Sequence, residues 1–365
     1  MSNQKLYEIA LTLVSGIGYV NGKKLVAYCG GAEAVFCEKR NTLTKISGIN
    51  DNIVNSILSK DVMLRAEKEL EFAEKNGIRP LFYLDSDYPK RLQHCHDSPM
   101  VLYYKGNADL NAMKTLGVVG TRNITDYGRY ATEKIIEDLS SDNILVISGL
   151  AYGVDAVAHR AALKYNLATV GVLGHGMQTV YPAENRKLST NMLEKGGILT
   201  EFVSGTQPDR ENFPKRNRIV AGMVDCLVVV ESALKGGAMI TAEIANSYDR
   251  EVFAIPGRVG DIYSEGCNRL IKTNKANLLT GAEDIRYVMR WDIDNKVVAK
   301  QMRMFRDFSE EEKKVMDVFG QGNVIHLDDI IVGTDLSPSK IASILLSLEF
   351  DGVMTALPGK RYQKL

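Results

Sequence analysis

Leu116-Gly117-Val118-Val119-Gly120-Thr121-Arg122 and Ile144-Leu145-Val146-Ile147-Ser148-Gly149 decide the fold. Each is a short apolar run that ends in glycine beside a hydroxyl or a cation. A strand with one wet face alternates apolar and polar residues. A run without that alternation suits a strand covered on both faces, and such strands are usually parallel. Four further runs repeat the pattern: Ala168–Leu173, Gly197–Thr200, Cys226–Glu231 and Glu251–Ile255. Helix-length amphipathic stretches separate them, long enough for right-handed crossovers. The centre of the chain reads as an α/β domain with an open, mostly parallel sheet of Rossmann type.

Ligands of such sheets bind outside the carboxyl ends of the strands. Here those ends carry Gly120-Thr121-Arg122, then Gly149-Leu150-Ala151-Tyr152-Gly153-Val154-Asp155, then Gly174-His175-Gly176. A later one leads to Gly236-Gly237-Ala238-Met239-Ile240-Thr241. Glycine lets backbone amides approach an anion without a Cβ in the way, and a hydroxyl or guanidinium adds donors suited to phosphate. Four such ends in succession point to one phosphate pocket; the plainer reading is tight turns in an empty sheet. No G-x-x-x-x-G-K-[ST] is present, which argues against P-loop phosphoryl transfer, and Gly174-x-Gly176 lacks the third glycine of a dinucleotide fingerprint. Asn212-Phe213-Pro214-Lys215-Arg216-Asn217-Arg218 is the densest nucleic-acid-like patch. Its cations can neutralise phosphates and Phe213 can stack on a base. Arg122 is expected to lie against the sheet, and Lys215, Arg216 and Arg218 to stand on an exposed rim.

Outward from this centre, 365 residues suggest two or three domains. Forty-five Lys and Arg balance forty-five Asp and Glu, so there is no global basic field and any nucleic-acid contact must come from a local patch. The five cysteines contain no C-x-x-C pair, which disfavours a disulfide scaffold and a thiolate zinc site. Glu8 interrupts a signal-peptide reading, and polar residues break the uncharged segment 165–183, so a cytoplasmic protein with no membrane insertion is expected. His94-Cys95-His96 resembles a metal cluster but has no third ligand nearby in sequence, so no metal is expected. Asp155 and His159 share a helix face. A capping Asp and a buried His fit them better than a general-base pair.

Residues 1–80 read as helices with glycine turns and carry 11 basic against 9 acidic residues. Leu13-Val14-Ser15-Gly16-Ile17-Gly18 and Lys45-Ile46-Ser47-Gly48-Ile49-Asn50 are similar and lie 32 residues apart. The pair resembles a tandem helix-hairpin-helix module, whose turns can hold a phosphate, or else two structural hairpins. Asn50 replaces the second glycine and is expected to take the left-handed conformation there. Residues 81–290 form the Rossmann-like domain, 291–307 a linker, and 308–365 a third unit of three helices and a β-ribbon, a winged-helix pattern. Residues 306–365 hold 7 basic against 10 acidic residues, and the unit offers only Lys340 on its third helix, which favours protein contact over duplex reading.

The central stretches together resemble the bacterial DNA-processing protein A family, also called DprA or Smf. They include Val119–Arg122, Ser148–His159, Val172–Arg186, Asn212–Gly222, Glu231–Ala242, Phe253–Gly257 and Gly266–Asn268. The resemblance covers about residues 83–285. It implies an N-terminal helix-hairpin-helix or sterile-alpha-motif-like domain and a C-terminal winged helix. It also implies a protein without catalytic residues or cofactor, which binds single-stranded DNA during natural transformation and loads the RecA recombinase onto it. Such proteins form a homodimer with higher-order assembly on DNA. Carried onto this sequence, the pocket is Thr121, Arg122, Gly149, Gly153, Gly236 and Gly237, with Lys215, Arg216 and Arg218 on the strand path. Gly120, Gly174, Gly176, Phe213, Asn217 and Thr241 complete the candidate DNA-binding set. The dimer surface is expected at Leu270 and Ile271, which read as exposed.

A rival reading is enzymatic. Gly236-Gly237-Ala238-Met239-Ile240-Thr241-Ala242-Glu243 is similar to the P-G-G-x-G-T-x-x-E motif of nucleoside-monophosphate phosphoribohydrolases, which share the sheet. The motif's proline is Lys235 here, and its later glycine is missing.

Overall fold

The structure, a computed structural model, describes residues 3–291, 308–320 and 324–364. A nine-stranded sheet organises it: β1 (Arg79–Phe82), β2 (Val101–Gly106), β3 (Thr115–Val119), β4 (Leu145–Ser148), β5 (Ala168–Val172), β6 (Gly197–Thr200), β7 (Cys226–Val229), β8 (Glu251–Ala254) and β9 (Asn277–Leu278). Their order is β1-β2-β6-β5-β4-β3-β7-β8-β9. From β6 to β9 every pairing is parallel, while β2 runs antiparallel to both β1 and β6. All six expected runs are strands, and β1, β2 and β9 were not anticipated.

The apolar runs alternate between two cores. Leu116, Val118, Val146, Cys226 and Val228 face one side, where the helices Asp126–Asp138 and Val154–Lys164 cover them. Val119, Ile147, Leu227 and Val229 face the other side, beneath the helices Asn212–Met223 and Gly237–Ser247. This double cover is why the strands lack polar alternation. The strand order reverses between β3 and β7, and the ends of these neighbours open a crevice.

Residues 3–78 form a helical unit whose core includes Ile9, Leu25, Val35 and Val54 and continues into Phe82, Val101 and Tyr103 of the sheet edge. Its two hairpin turns meet, since Ser15 N donates to Ser56 Oγ at 3.0 Å and Asn21 Nδ2 to Gly48 O at 3.2 Å. Gly16 and Gly48 adopt φ of 81° and 90°. Asn50 departs from expectation: its φ is −98°, and its side chain caps the helix Asp51–Ile57 by accepting from Ile53 N at 3.0 Å. The second glycine position of the repeat is an N-cap, a role asparagine fills well.

The third unit has helices Glu310–Val318, Leu327–Thr334 and Pro338–Phe350, with β10 (Val324–His326), β11 (Met354–Leu357) and β12 (Arg361–Lys364) in the order β10-β12-β11. Ser337 caps the third helix, with Pro338 just inside it. Lys340 pairs with Glu311 at 2.9 Å. The β11–β12 hairpin lies against the central domain: Arg361 pairs with buried Asp225 at 2.7 Å and Lys360 with Asp249 at 2.6 Å. Asp225 precedes β7, so the hairpin docks at the amino ends of the parallel strands, opposite the crevice. Of the expected linker, residues 292–307 lie outside the described residues, while Trp291 is buried in the core.

Candidate nucleic-acid cleft

The crevice is a cleft of about 530 Å³, lined from β3 by Gly120, Thr121 and Arg122 and from β7 by Ser232, Ala233, Gly236 and Gly237. Phe213, Arg216 and Asn217 form another wall. Two glycines are required by close approach. A Cβ at Gly153, whose φ is +75°, would strike Thr121 O, and one at Gly149 would strike the Arg216 guanidinium. Buried Glu231 accepts from Thr125 N at 3.0 Å and also from its hydroxyl, which fixes the loop that carries Arg122. Gly237 and Ala238 begin an eleven-residue helix at the cleft, and the first turn of a helix leaves its N–H groups without intrahelical partners. Together with the helix dipole, these amides suit an anion.

The arginines exchange the roles expected of them. Arg122 is exposed, makes no ion pair among the described residues, and lies over the Phe213 ring at 5.2 Å. Arg216 is buried: it donates to Gly149 O and, at 2.6 Å, to Val172 O. Burial lowers its pKa while Asp155 raises it. Arg218 does not line the cleft. It pairs with Glu201, donates to Asp97 O at 2.6 Å and stacks 5.6 Å from the Tyr19 ring of the helical unit. Lys215 stays exposed, outside the cleft lining.

Other expected positions also sort themselves. Gly174 lies behind Phe213, and a Cβ on Gly176 would meet Val203 O, so Gly176 serves packing rather than the cleft. Thr241 lines the cleft, but its hydroxyl donates to Gly237 O at 3.2 Å. Asp155 accepts from Ala151 N at 3.3 Å, just ahead of its helix. His159 is buried against Thr169 Oγ1 at 2.6 Å, and burial, with the charge of Arg216, takes its pKa down to about 3. A neutral core histidine and a structural carboxylate are what the sequence suggested. Arg210 and Tyr263 line the cleft unanticipated. Arg210 stands two residues before Asn212, where the basic segment was taken to begin.

One expectation fails on burial. Leu270 is buried in the sheet core and Ile271 packs partly against it, so this pair is not the exposed apolar surface expected of a dimer contact. Leu270→Glu should place a carboxylate in that core, costing several kcal/mol and yielding an unstable chain rather than a folded monomer, as its urea midpoint would show. His94 and His96 part company: His96 packs edge-on to Tyr248, while His94 stacks on His326 at 3.9 Å, and His94, His326 and Asp328 have donor atoms within 4.8 Å of one another.

A glycine-turned, cation-bearing cleft at the switch point of a Rossmann-type sheet defines an anion-receptive α/β protein with an appended winged helix. Residues 79–290 match the family described as DNA recombination-mediator protein A, and residues 306–360 match the DprA winged helix domain. This chain belongs to the DNA recombination-mediator protein A family. It is 30% identical to protein Smf of Synechocystis sp., across 100% of this chain and 99% of that one. Protein Smf of Escherichia coli is 34% identical, covering 81% of this chain and 83% of its own. The solved DNA processing protein A of Streptococcus pneumoniae superposes with a TM-score of 0.63 at 32% identity, covering 77% of this chain and 97% of that one. The Helicobacter pylori protein, described for its single-stranded DNA binding mode, gives 0.54 at 26% identity over 59% and 96%. Among the described residues no single helix is long and apolar enough to cross a membrane.

Proposed function

We propose that this protein binds single-stranded DNA in the cleft, protects incoming DNA in natural transformation and loads the RecA recombinase onto it. In this reading it acts in the cytoplasm as a homodimer that assembles further along the strand, with no catalytic step and no cofactor. One observation carries the DNA-binding reading: Arg122, exposed and without an ion pair among the described residues, lies over Phe213 at the mouth of a cleft floored by glycine turns and the Gly237 helix start. A cation and an aromatic face held together offer one group to a phosphate and one to a base, with no base-edge reader needed. The Helicobacter pylori relative, described as binding single-stranded DNA, supports the same assignment.

Titration with oligonucleotides of graded length, single-stranded against duplex, tests it. Preference for single strands with a steep salt dependence is expected, and equal affinity for duplex or salt-insensitive binding overturns it. Arg122→Ala should weaken binding about tenfold, since one charge-assisted contact contributes roughly 1.5 kcal/mol. A folded variant that binds like the parent removes the cleft from the DNA path. Recombinase filament assembly on strands already coated by single-strand-binding protein tests the loading step.

The phosphoribohydrolase reading loses its carboxylate. Glu243 lies outside the cleft lining and sits 3.6 Å from Lys275 on the exposed side of its helix. Release of base from nucleoside monophosphates by the pure protein would restore that reading.

A further inference from the structure

A second cleft of about 480 Å³ adjoins the first and shares Arg122 with it. Arg129, from the helix Asp126–Asp138, and Arg160, from the helix Val154–Lys164, stand on its walls. Tyr152 and Gly153, from the loop after β4, also line it. No Asp or Glu lines this cleft. Both arginines are exposed, and neither makes a side-chain hydrogen bond or ion pair among the described residues. Tyr152 is exposed as well, and its hydroxyl donates to Glu184 Oε2 at 2.6 Å, which holds the ring beside the opening.

Two of the three cations expected to continue the strand path on the Asn212 side are spent on the fold: Arg216 on Gly149 and Val172 carbonyls, Arg218 on Glu201 and Asp97, which leaves Lys215. Arg210 in the main cleft stays available, and beyond Arg122 the second cleft adds two more guanidiniums without partners among the described residues, next to an aromatic ring. A polyanion anchored at Arg122 gains by running on over the two uncompensated guanidiniums that share the second cleft with it.

We infer that the single strand leaves the main cleft past Arg122 and runs over Arg129 and Arg160, which form a second backbone-binding subsite with Tyr152 as a stacking face. This rests on the DNA-binding reading above and adds a direction to it. The ligand is the sugar-phosphate backbone of an extended single strand, and the subsite serves only strands long enough to reach it.

The test is the double variant Arg129→Ala/Arg160→Ala in the full chain, titrated with a dT6 and a dT20 oligonucleotide. Both residues are exposed, so the thermal midpoint should match the parent. Affinity for dT20 should fall roughly ten- to thirtyfold, as two exposed charge contacts of up to about 1 kcal/mol each imply. Its salt slope should flatten by about 1.4, at about 0.7 per phosphate on single strands. Affinity for dT6, which fills only the main cleft, should stay within twofold of the parent. Parent-like affinity and slope on dT20 overturn the inference while leaving the main cleft intact. An equal loss on dT6 overturns it too, because the arginines would then belong to the primary contact. A parent that binds neither oligonucleotide overturns the underlying reading, and this one with it.

Discussion

Arg216→Ala should lower the stability of the protein by about 2–6 kcal/mol, the cost of leaving two buried acceptors unpaired at about 1–3 kcal/mol each. The guanidinium is buried and donates to the carbonyls of Gly149, just past β4, and Val172, the last residue of β5. Its removal strands two buried acceptors and leaves a void where Gly149 has no side chain to fill it. Asp155 also loses its chief favourable charge. Burial already raises the pKa of that carboxyl, and Arg216 is the main influence opposing the rise. Arg216→Lys should recover only part of the loss, because an ammonium can serve the two carbonyls that share Nη1 but lacks the Nε that donates to Asn217 Oδ1 at 3.2 Å. Urea unfolding followed by far-UV circular dichroism measures both variants. An alanine variant within 1 kcal/mol of the parent would show that the cleft floor stands without this cation.

Asp225→Asn should cost a comparable amount, about 3–5 kcal/mol, and release the winged helix. The carboxylate is fully buried and receives Arg91 Nε at 2.7 Å, Arg361 Nη2 at 2.7 Å and Thr115 N at 2.9 Å. Burial alone would raise its pKa, yet Arg91, Arg361 and the Thr115 amide together hold it below the ordinary aspartate value of 3.8. The sign follows from that depression. The pair's stabilisation is complete above the unfolded-state value near 3.8 and disappears as pH falls through the lower folded value. Between pH 7 and 5 this contact should therefore be insensitive to pH. Asparagine keeps the shape but leaves two guanidiniums facing a neutral group. Small-angle scattering should show an expanded variant, while dT6 binding persists because the cleft opens at the other end of the sheet. A compact variant with parental stability would mean that the hairpin is held by Lys360–Asp249 and Arg290–Thr355 instead.

The six buried strands were legible because their signal is local: a strand covered on both faces must be apolar at every position. The glycine ends were legible for the same reason, since a turn that approaches an anion or a neighbouring backbone has no room for a Cβ. Less of the cleft's electrostatics could be read. One available cue for Arg216 is helical spacing: Arg216, Ile219, Val220 and Met223 form one stripe, and all are buried. A cation on the core face of a helix must find acceptors inside, and Lys215, one position away, stays in solvent.

By itself the sequence determined the class of sheet, the glycine turns at its carboxyl strand ends, the winged-helix pattern of the third unit and the family to which these belong. Only the tertiary structure decided which cations remain available to a ligand. Arg216 meets a carbonyl 67 positions away and Arg91 meets Asp225 across 134. It also turned Leu270 inward and brought His326 onto His94. Hydrophobic periodicity is written over a few neighbouring residues, whereas the partner of a charge is set by whichever distant segment the fold brings within about 4 Å of it.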